Sequence, residues 1–293
     1  MSTTASRPTD RSLRPARPSV PRRPGAPPGT LFTAAVDVAP TVRVVRYGPG
    51  VIHECEIDEP AEIPAHDPGF ETTWVDVAGP AGETFLRAIA DRFDFHPLAL
   101  EDVAHLDQRA KCETYPPFTF LVARAALVGA SSETEQVSLF VRPGLVVSFQ
   151  ERPEDCFDAV RQRIRVGRPR LRSGGSEYLA YALLDSIVDS YFPVVERLRD
   201  RLERLEQIVL DDASQEVLRS IQEVRSRLVG IRRALWPQRE MLAKILREGE
   251  PFGEDVQVFL RDVHDHLLQI LDLVEAYREI GSSLMSVFLT QVS

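Results

Sequence analysis

One stretch of sequence decides the fold: residues 254–293 read EDVQVFLRDVHDHLLQILDLVEAYREIGSSLMSVFLTQVS. Apolar side chains recur along it in alternating steps of four and three residues, a pattern typical of a helix that packs along one seam. At 1.5 Å per residue such a helix is about 60 Å long. We therefore expect a coiled coil or helix bundle with partner helices. The seam positions are Val256, Leu260, Val263, Leu267, Ile270, Val274, Tyr277, Gly281, Leu284 and Phe288.

The end of this helix carries no closing signal. Residues 286–293 contain no Gly or Asn cap and no closing Lys or Arg, the residues that usually end a helix. We therefore expect the chain to stop before the natural end of the helix. The chain as given is expected to be soluble, because a membrane-spanning helix needs about 18 apolar residues in a row. Arg124 interrupts the best candidate, residues 118–130.

Two further long helical patterns precede this C-terminal helix, which we call the stalk helix. Residues 177–210 and 214–248 each repeat apolar positions with a period of 3.6 residues, which predicts an antiparallel helical arm. Pro193 and Pro237 fall inside these patterns. Since an internal proline costs about 3 kcal/mol unless the helix bends, we expect a kink near each.

The region before the arm mixes strands and helices. Short runs of β-branched and aromatic residues bounded by Gly and Pro predict six strands, and three helical segments lie around them. The pattern indicates an α+β fold: an N-terminal αβα sandwich with a mixed sheet, followed by the arm and the stalk helix. The predicted strands are 41–47, 51–57, 73–77, 118–128, 136–141 and 145–149, and the predicted helices are 81–93, 96–104 and 153–166.

We divide the chain into four parts: a tail (1–30), the αβα domain (31–175), the arm (176–252) and the stalk helix (253–293). The tail holds seven of the 22 prolines and six Arg against one Asp, and it has too few apolar residues to offset its ordering entropy, so we expect disorder. A contact with anionic lipid headgroups is the alternative to a solvated tail.

The charge balance and cysteine usage exclude several classes of protein. The net charge is −9 although the tail contributes about +5, so residues 31–293 carry about −14. Such a surface attracts cations and repels nucleic acid. The three cysteines are far apart, which favours a reducing cytoplasm over a disulfide framework or zinc knuckle. No catalytic motif is present, and we expect no enzyme activity.

The stalk helix offers the first candidate metal ligands. Asp262, Asp265, His266 and Gln269 are three or four residues apart and form a stripe beside the apolar seam. A hard divalent cation such as Mg²⁺ suits such oxygen ligands and relieves carboxylate repulsion. A solvated helix face is the alternative. His264 and His266 lie about 200° apart around the helix axis and cannot share one metal, so both are expected to be packing or surface residues.

A second candidate is the segment His96-Pro-Leu-Ala-Leu-Glu-Asp102. Pro97 suits the first turn of a short helix. Glu101 and Asp102 then fall near the C-terminal end, where the helix dipole disfavours negative charge and a cation is welcome. Asp185 interrupts an apolar helix face in the arm. The alternatives are an exposed surface for the first segment and a hydrogen-bonded bundle residue for Asp185.

At these residues the chain resembles the cytoplasmic part of CorA-type magnesium channels, over about residues 41–293. Six segments match in the correct order, and together they are specific although each alone is modest. They are His96–Asp102, Glu135–Leu139 leading to Val147–Glu151, Tyr178–Asp185 through Pro193, Leu235–Glu240, Phe259–His266 and Leu284–Leu289.

The resemblance implies a homopentamer at the cell inner membrane, with this region in the cytoplasm and the stalk helix continuing into a transmembrane pore helix. Asp102 of one subunit and Asp262 of its neighbour would form the main regulatory Mg²⁺ site, with Glu101 and Asp185 contributing to a second one. Mg²⁺ would be both the transported ion and the regulator, with Co²⁺ and Ni²⁺ as further candidate ions.

The sequence departs from the family at one position. Many family members carry an acidic residue where Ser286 stands, so the resemblance does not imply a cation-holding ring at that level. A zinc transporter of the same superfamily is the first alternative, and a soluble helical scaffold protein is the second. The family's Gly-Met-Asn loop would follow Ser293, so the sequence beyond that residue would separate the three.

Overall fold

A computed structural model describes residues 25–33, 39–64, 69–127, 134–152, 156–210 and 214–292. These ranges contain seven strands, eight α-helices and one 3₁₀ turn. In chain order they are β1 Thr41–Gly48, β2 Val51–Ile57, the 3₁₀ turn Pro60–Glu62, β3 Thr72–Ala78, α1 Glu83–Phe93, α2 Pro97–Ala104, β4 Lys111–Tyr115, β5 Phe118–Ala126, β6 Thr134–Arg142, β7 Leu145–Gln150, α3 Asp158–Arg165, α4 Pro169–Ser173, α5 Gly175–Asp189, α6 Phe192–Val209, α7 Gln215–Glu248 and α8 Glu254–Val292.

The seven strands form one mixed sheet in the order β2-β1-β3-β7-β6-β5-β4. β3 and β7 run parallel, with Val75 opposite Val147, and the other neighbours are antiparallel. The predicted mixed sheet is confirmed. The sequence pattern missed β4, which reads Lys-Cys-Glu-Thr-Tyr and pairs with β5 at one edge. A polar strand is typical of a sheet edge because one side of it has no neighbouring strand to pack with.

Helices cover both faces of this sheet. Val44 and Val75 lie in a core cluster with Leu86 of α1 and Leu100 of α2. The neighbouring residue Val45 faces the other way, into a second cluster that includes residues of α3 and α5. Alternate strand residues therefore enter separate cores, and the predicted αβα sandwich is confirmed.

The first predicted arm helix is in fact two helices. α5 ends at Asp189 and packs on the sheet, and α6 begins at Phe192. Pro193 lies in the first turn of α6, where its missing N–H removes no helical hydrogen bond. The kink that we expected inside a helix at Pro193 is therefore a break between helices. Pro237 does lie inside α7, which continues from Gln215 to Glu248.

The seam of α8 is buried within its own chain. Leu260, Val263, Leu267 and Ile270 are all fully buried, and α8 contacts α5, α6 and α7. The partner helices that the pattern called for therefore belong to the same chain, which periodicity could not show because it identifies a buried face without identifying the helix that covers it. The second core cluster consequently continues from the sheet through α6, α7 and α8.

Part of the predicted disordered tail contacts α2. Residues 1–24 lie outside the described ranges, so that prediction is untested there. The backbone N–H of Gly29 donates to Glu101 Oε2 at 2.6 Å, and Leu31 is buried in the α1 and α2 cluster. Gly29 has φ of +80°, and a Cβ there would lie 2.9 Å from Pro97 Cβ. Across the described ranges, every helix is too short or too polar to cross a membrane.

Candidate metal centre

The four predicted ligands fall into two groups within one chain. Glu101 and Asp102 lie on α2, whose buried residues pack in the first core cluster. Asp185 on α5 and Asp262 on α8 lie on helices that pack in the second cluster, on the opposite side of the sheet. A metal bound by residues of both groups would therefore have to lie at a contact between subunits.

The second group forms a cluster of potential metal ligands. Asp185, Asp189 and His266 each offer one ligand atom, and these atoms all lie within 4.8 Å of one another. His266 Nδ1 is 3.5 Å from Asp189 Oδ1, and His266 Nε2 is 4.0 Å from Asp262 Oδ2. The spacing explains the geometry, because each helix contributes a pair of residues four apart that share one face. The cluster thus lies where α5 and α8 pack together.

The electrostatic environment of this cluster disfavours its own charges. Burial, and then the neighbouring Asp189 carboxylate, raise the pKa of Asp185 to about 6, although Arg163 and His266 oppose this. The pKa of Asp189 is also raised, first by burial and further by Asp262, while His266 opposes the shift. Arg163 Nη1 lies 3.7 Å from Asp185 Oδ2, beyond hydrogen-bonding distance. A divalent cation would offset these charges more fully.

The first group is held by contacts inside the chain. The predicted placement is found: Glu101 and Asp102 lie in the last turn of α2, which ends at Ala104. His96 caps the start of this helix, its Nδ1 accepting from the N–H of Leu98 at 3.3 Å. Asp102 Oδ2 is 2.7 Å from Lys111 Nζ. Both predicted ligands on α2 therefore already have partners, Glu101 through Gly29 and Asp102 through Lys111.

Comparison with known proteins identifies the family. Residues 71–293 match the family described as CorA-like Mg²⁺ transporter protein. The chain belongs to this family. It is 34% identical over 274 residues to the cobalt/magnesium transport protein CorA of Thermotoga maritima, covering 92% of this chain and 78% of that protein. The CorA-like family is one of transporters, and the resemblance seen in the sequence is confirmed.

Two solved structures share the fold of this CorA family member. The soluble domain of CorA from Methanocaldococcus jannaschii superimposes with a TM-score of 0.73 at 20% identity, over 85% of this chain and 96% of that one. The complete CorA magnesium transporter from the same organism gives a TM-score of 0.72 at 22% identity, over 88% and 78% of the two chains. The long C-terminal helix is therefore part of a fold that solved structures share.

The predicted stripe on α8 of this CorA-like chain divides in two. His266 joins the cluster, although the sequence suggested a packing or surface role for it. Asp265 is instead 76% exposed, with His264 Nδ1 3.9 Å from its carboxylate, and Gln269 is exposed. Two pairs spaced four residues apart, Asp185 with Asp189 and Asp262 with His266, were the signal available in the sequence. Their meeting depends on how α5 and α8 pack, which the spacing alone does not give.

Proposed function

We propose that this chain is the Mg²⁺-sensing part of a divalent-cation channel, in which Mg²⁺ bound between subunits favours the closed state. The observation that carries the proposal is the cluster of Asp185, Asp189 and His266 with Asp262 at its edge, in a member of a Mg²⁺ transporter family. Acidic groups with raised pKa values remain close together there, and a cation is the simplest partner for them.

The proposed main site joins Asp102 of one subunit to Asp262 of its neighbour. The position of the two residues on opposite sides of the sheet supports this, since one chain does not bring them together. Asp262 is 65% exposed, so its carboxylate is available to a second subunit. Glu101 and Asp185 contribute to a second site, to which we add Asp189 and His266. The assembly is proposed to be a homopentamer in the cell inner membrane, with this region facing the cytoplasm.

The donor atoms suit the proposed ions. Carboxylate oxygens are the ligands that Mg²⁺ prefers, and Mg²⁺ keeps several of its waters in such sites. The imidazole of His266 would add a ligand that Co²⁺ and Ni²⁺ bind more strongly than Mg²⁺ does. This agrees with the name of the Thermotoga relative, a cobalt/magnesium transport protein.

Gating follows from the charge at the subunit contacts. Facing carboxylates repel one another, and a bridging Mg²⁺ turns that repulsion into attraction. A ligand that binds one arrangement better than another shifts the equilibrium toward it. High internal Mg²⁺ therefore holds the closed arrangement, and loss of Mg²⁺ lets the subunits separate and the pore open. The transported ion is in this way its own regulator.

The test is Mg²⁺-dependent stabilisation of the chain and of three variants. A site at about ten times its Kd adds roughly 1.4 kcal/mol, which raises the melting temperature by a few degrees. Asp102→Asn and Asp262→Asn should each lose most of this rise. Asp265→Asn, three residues from Asp262 on the same helix, should keep it because Asp265 belongs neither to the proposed main site nor to the cluster. Light scattering at the same Mg²⁺ concentrations measures assembly.

Several outcomes would contradict the proposal. Full Mg²⁺ stabilisation in both Asp102→Asn and Asp262→Asn would remove the site assignment. A response to Zn²⁺ at far lower concentration than to Mg²⁺ would favour the zinc-transporting alternative. Self-association that no cation changes would favour the scaffold alternative.

A further inference from the structure

The Asp102 carboxylate already forms an ion pair with a lysine ammonium group in this structure. Lys111 Nζ lies 2.7 Å from Asp102 Oδ2 and 2.7 Å from Glu113 Oε2, so one cation is shared between two acids. The Asp102 side chain is only 15% exposed. Partial burial lowers the pKa of Lys111, but the two carboxylates outweigh it and the net shift is upward. Lys111 is therefore charged throughout the neutral pH range.

The facing positions of Lys111 and Asp102 are fixed by a buried side chain, that of Gln136, which binds the backbone near both residues. The side chain of Gln136 is buried on β6; its Nε2 donates to the carbonyl oxygen of Asp102 at 2.8 Å. Its Oε1 accepts from the N–H of Gln108 at 3.0 Å. One glutamine thus ties both the end of α2 and the segment leading into β4 to the sheet. The contact between Lys111 and Asp102 results from this arrangement.

We propose that Lys111 is a tethered competitor for the divalent cation at Asp102 and sets the concentration at which the site fills. This inference rests on the proposed function and adds a regulator to the same site. A cation arriving at Asp102 meets a positive charge already bound to Oδ2, so the ammonium must leave before that oxygen can ligate, and its charge repels a cation at the other oxygen. Glu113, 39% exposed, provides the second position: Lys111 releases Asp102 and remains paired with Glu113.

The choice of lysine suits a partner that must be displaced. Only two of the 35 basic residues are lysines, Lys111 and Lys244. An ammonium is a compact charge on a flexible stem, whereas guanidinium holds a carboxylate with two parallel hydrogen bonds. An arginine at this position would compete more strongly and weaken metal binding further.

The experiment measures Mg²⁺ affinity of the chain by titration calorimetry, with variants of opposite expected sign. Lys111→Met removes the competitor and should tighten binding on the order of tenfold, as expected for removing one nearby charge at a partly exposed site. Glu113→Gln removes the second position, so Lys111 stays on Asp102 and binding should weaken. Lys111→Arg should also weaken it. Arg199→Met is the control for the loss of one cation and should bind with wild-type affinity, because Arg199 is exposed on α6 and pairs there with Asp200 and Glu203.

A metal-free measurement gives an independent readout. Without Lys111 the Asp102 and Glu113 carboxylates lose their shared cation, so Lys111→Met should melt below the wild type without Mg²⁺ and recover when Mg²⁺ is added. Lys111→Gln, which keeps a polar side chain, serves if the Met variant does not fold.

The outcomes separate this inference from the proposed function. Wild-type affinity in Lys111→Met and Glu113→Gln, with binding lost in Asp102→Asn, would overturn the role of Lys111 alone. If Mg²⁺ binding by the wild-type chain did not depend on Asp102, the result would count against the proposed function. In that case, tighter Mg²⁺ binding by Lys111→Met would still support the role of Lys111 as a competitor. Unchanged binding by Lys111→Met would overturn both the proposed function and this inference.

Discussion

Two carboxylates of this chain, the buried Asp76 and the half-buried Asp185, have opposite surroundings. Asp76, in the centre of the sheet, lies 2.8 Å from Arg161 Nη1, and both side chains are 1% exposed. It also accepts from Ser148 Oγ at 2.6 Å and Gln150 Nε2 at 3.0 Å. Asp185 has a guanidinium only at 3.7 Å and acidic neighbours. A carboxylate that has close hydrogen-bond and ion-pair partners stabilises the fold, whereas one that lacks them can bind a ligand.

One short helix supplies the cation to both regions. Arg161 and Arg163 lie two residues apart on α3, so they point in different directions around the helix. Arg161 reaches into the sheet to Asp76, and Arg163 approaches Asp185. Substitutions at these two positions of α3 therefore test the two regions separately.

The largest expected effect comes from breaking the buried ion pair of Asp76 and Arg161. Arg161→Met removes the guanidinium that lies 2.8 Å from the buried Asp76 carboxylate, which should lower the free energy of unfolding by about 3–5 kcal/mol. Urea denaturation with and without Mg²⁺ measures this, and Mg²⁺ should not restore the loss. Arg163→Met, on the same helix but beside Asp185, is the control and should lower the free energy of unfolding far less. Equal losses of stability in the two variants would show that Asp76 and Asp185 depend equally on their arginine neighbours.

The next effect concerns pH and Asp185. Because the pKa of Asp185 is raised from its ordinary value to about 6, the folded chain binds a proton more tightly than the unfolded chain does. This contribution to stability is present at low pH and is lost as the pH rises through about 6. Asp185→Asn should therefore be more stable than the wild type at pH 7.5 without metal, and the difference should shrink toward pH 5.

Paired melting curves across this pH range check the prediction about Asp185. The difference between variant and wild type isolates Asp185 from other titrating groups. Asp265→Asn should run parallel to the wild type across the range. A difference that is constant with pH would show that Asp185 is not the group that titrates.

The smallest expected effect concerns the imidazole. His266→Gln removes the nitrogen ligand and leaves the carboxylates in place, so binding of Co²⁺ or Ni²⁺ should weaken several-fold while Mg²⁺ binding changes little. Titration calorimetry with each ion measures the ratio, and His264→Gln is the matched control. An equal loss for all ions would assign His266 to packing against Phe192, whose ring lies 5.9 Å away.

Much of the fold follows from the sequence because the spacing of apolar residues indicates which face of a helix or strand is buried. Most of the six predicted strands are nearly continuous in apolar residues because both of their faces are buried. The largely exposed strand β2 was predictable from its β-branched residues, and β4 was not because its residues are polar. The repeat in α8 identified its buried face but not the helices that cover it. Likewise the placement of Glu101 and Asp102 followed from Pro97 at the start of α2. The convergence of Asp189 with His266 depends on helix packing, which local sequence does not encode.

The length of α8 has a mechanical consequence. Its buried seam packs against α5 as well as against α6 and α7, so the cluster of Asp185, Asp189 and His266 lies at the contact between α5 and the long helix. From Asp262 to Val292 the helix extends about 45 Å. A change of about 3° in the direction of the helix at that contact would move its far end by roughly 2 Å over such a length. A small rearrangement of the carboxylates would thereby become a larger displacement at the other end of the helix.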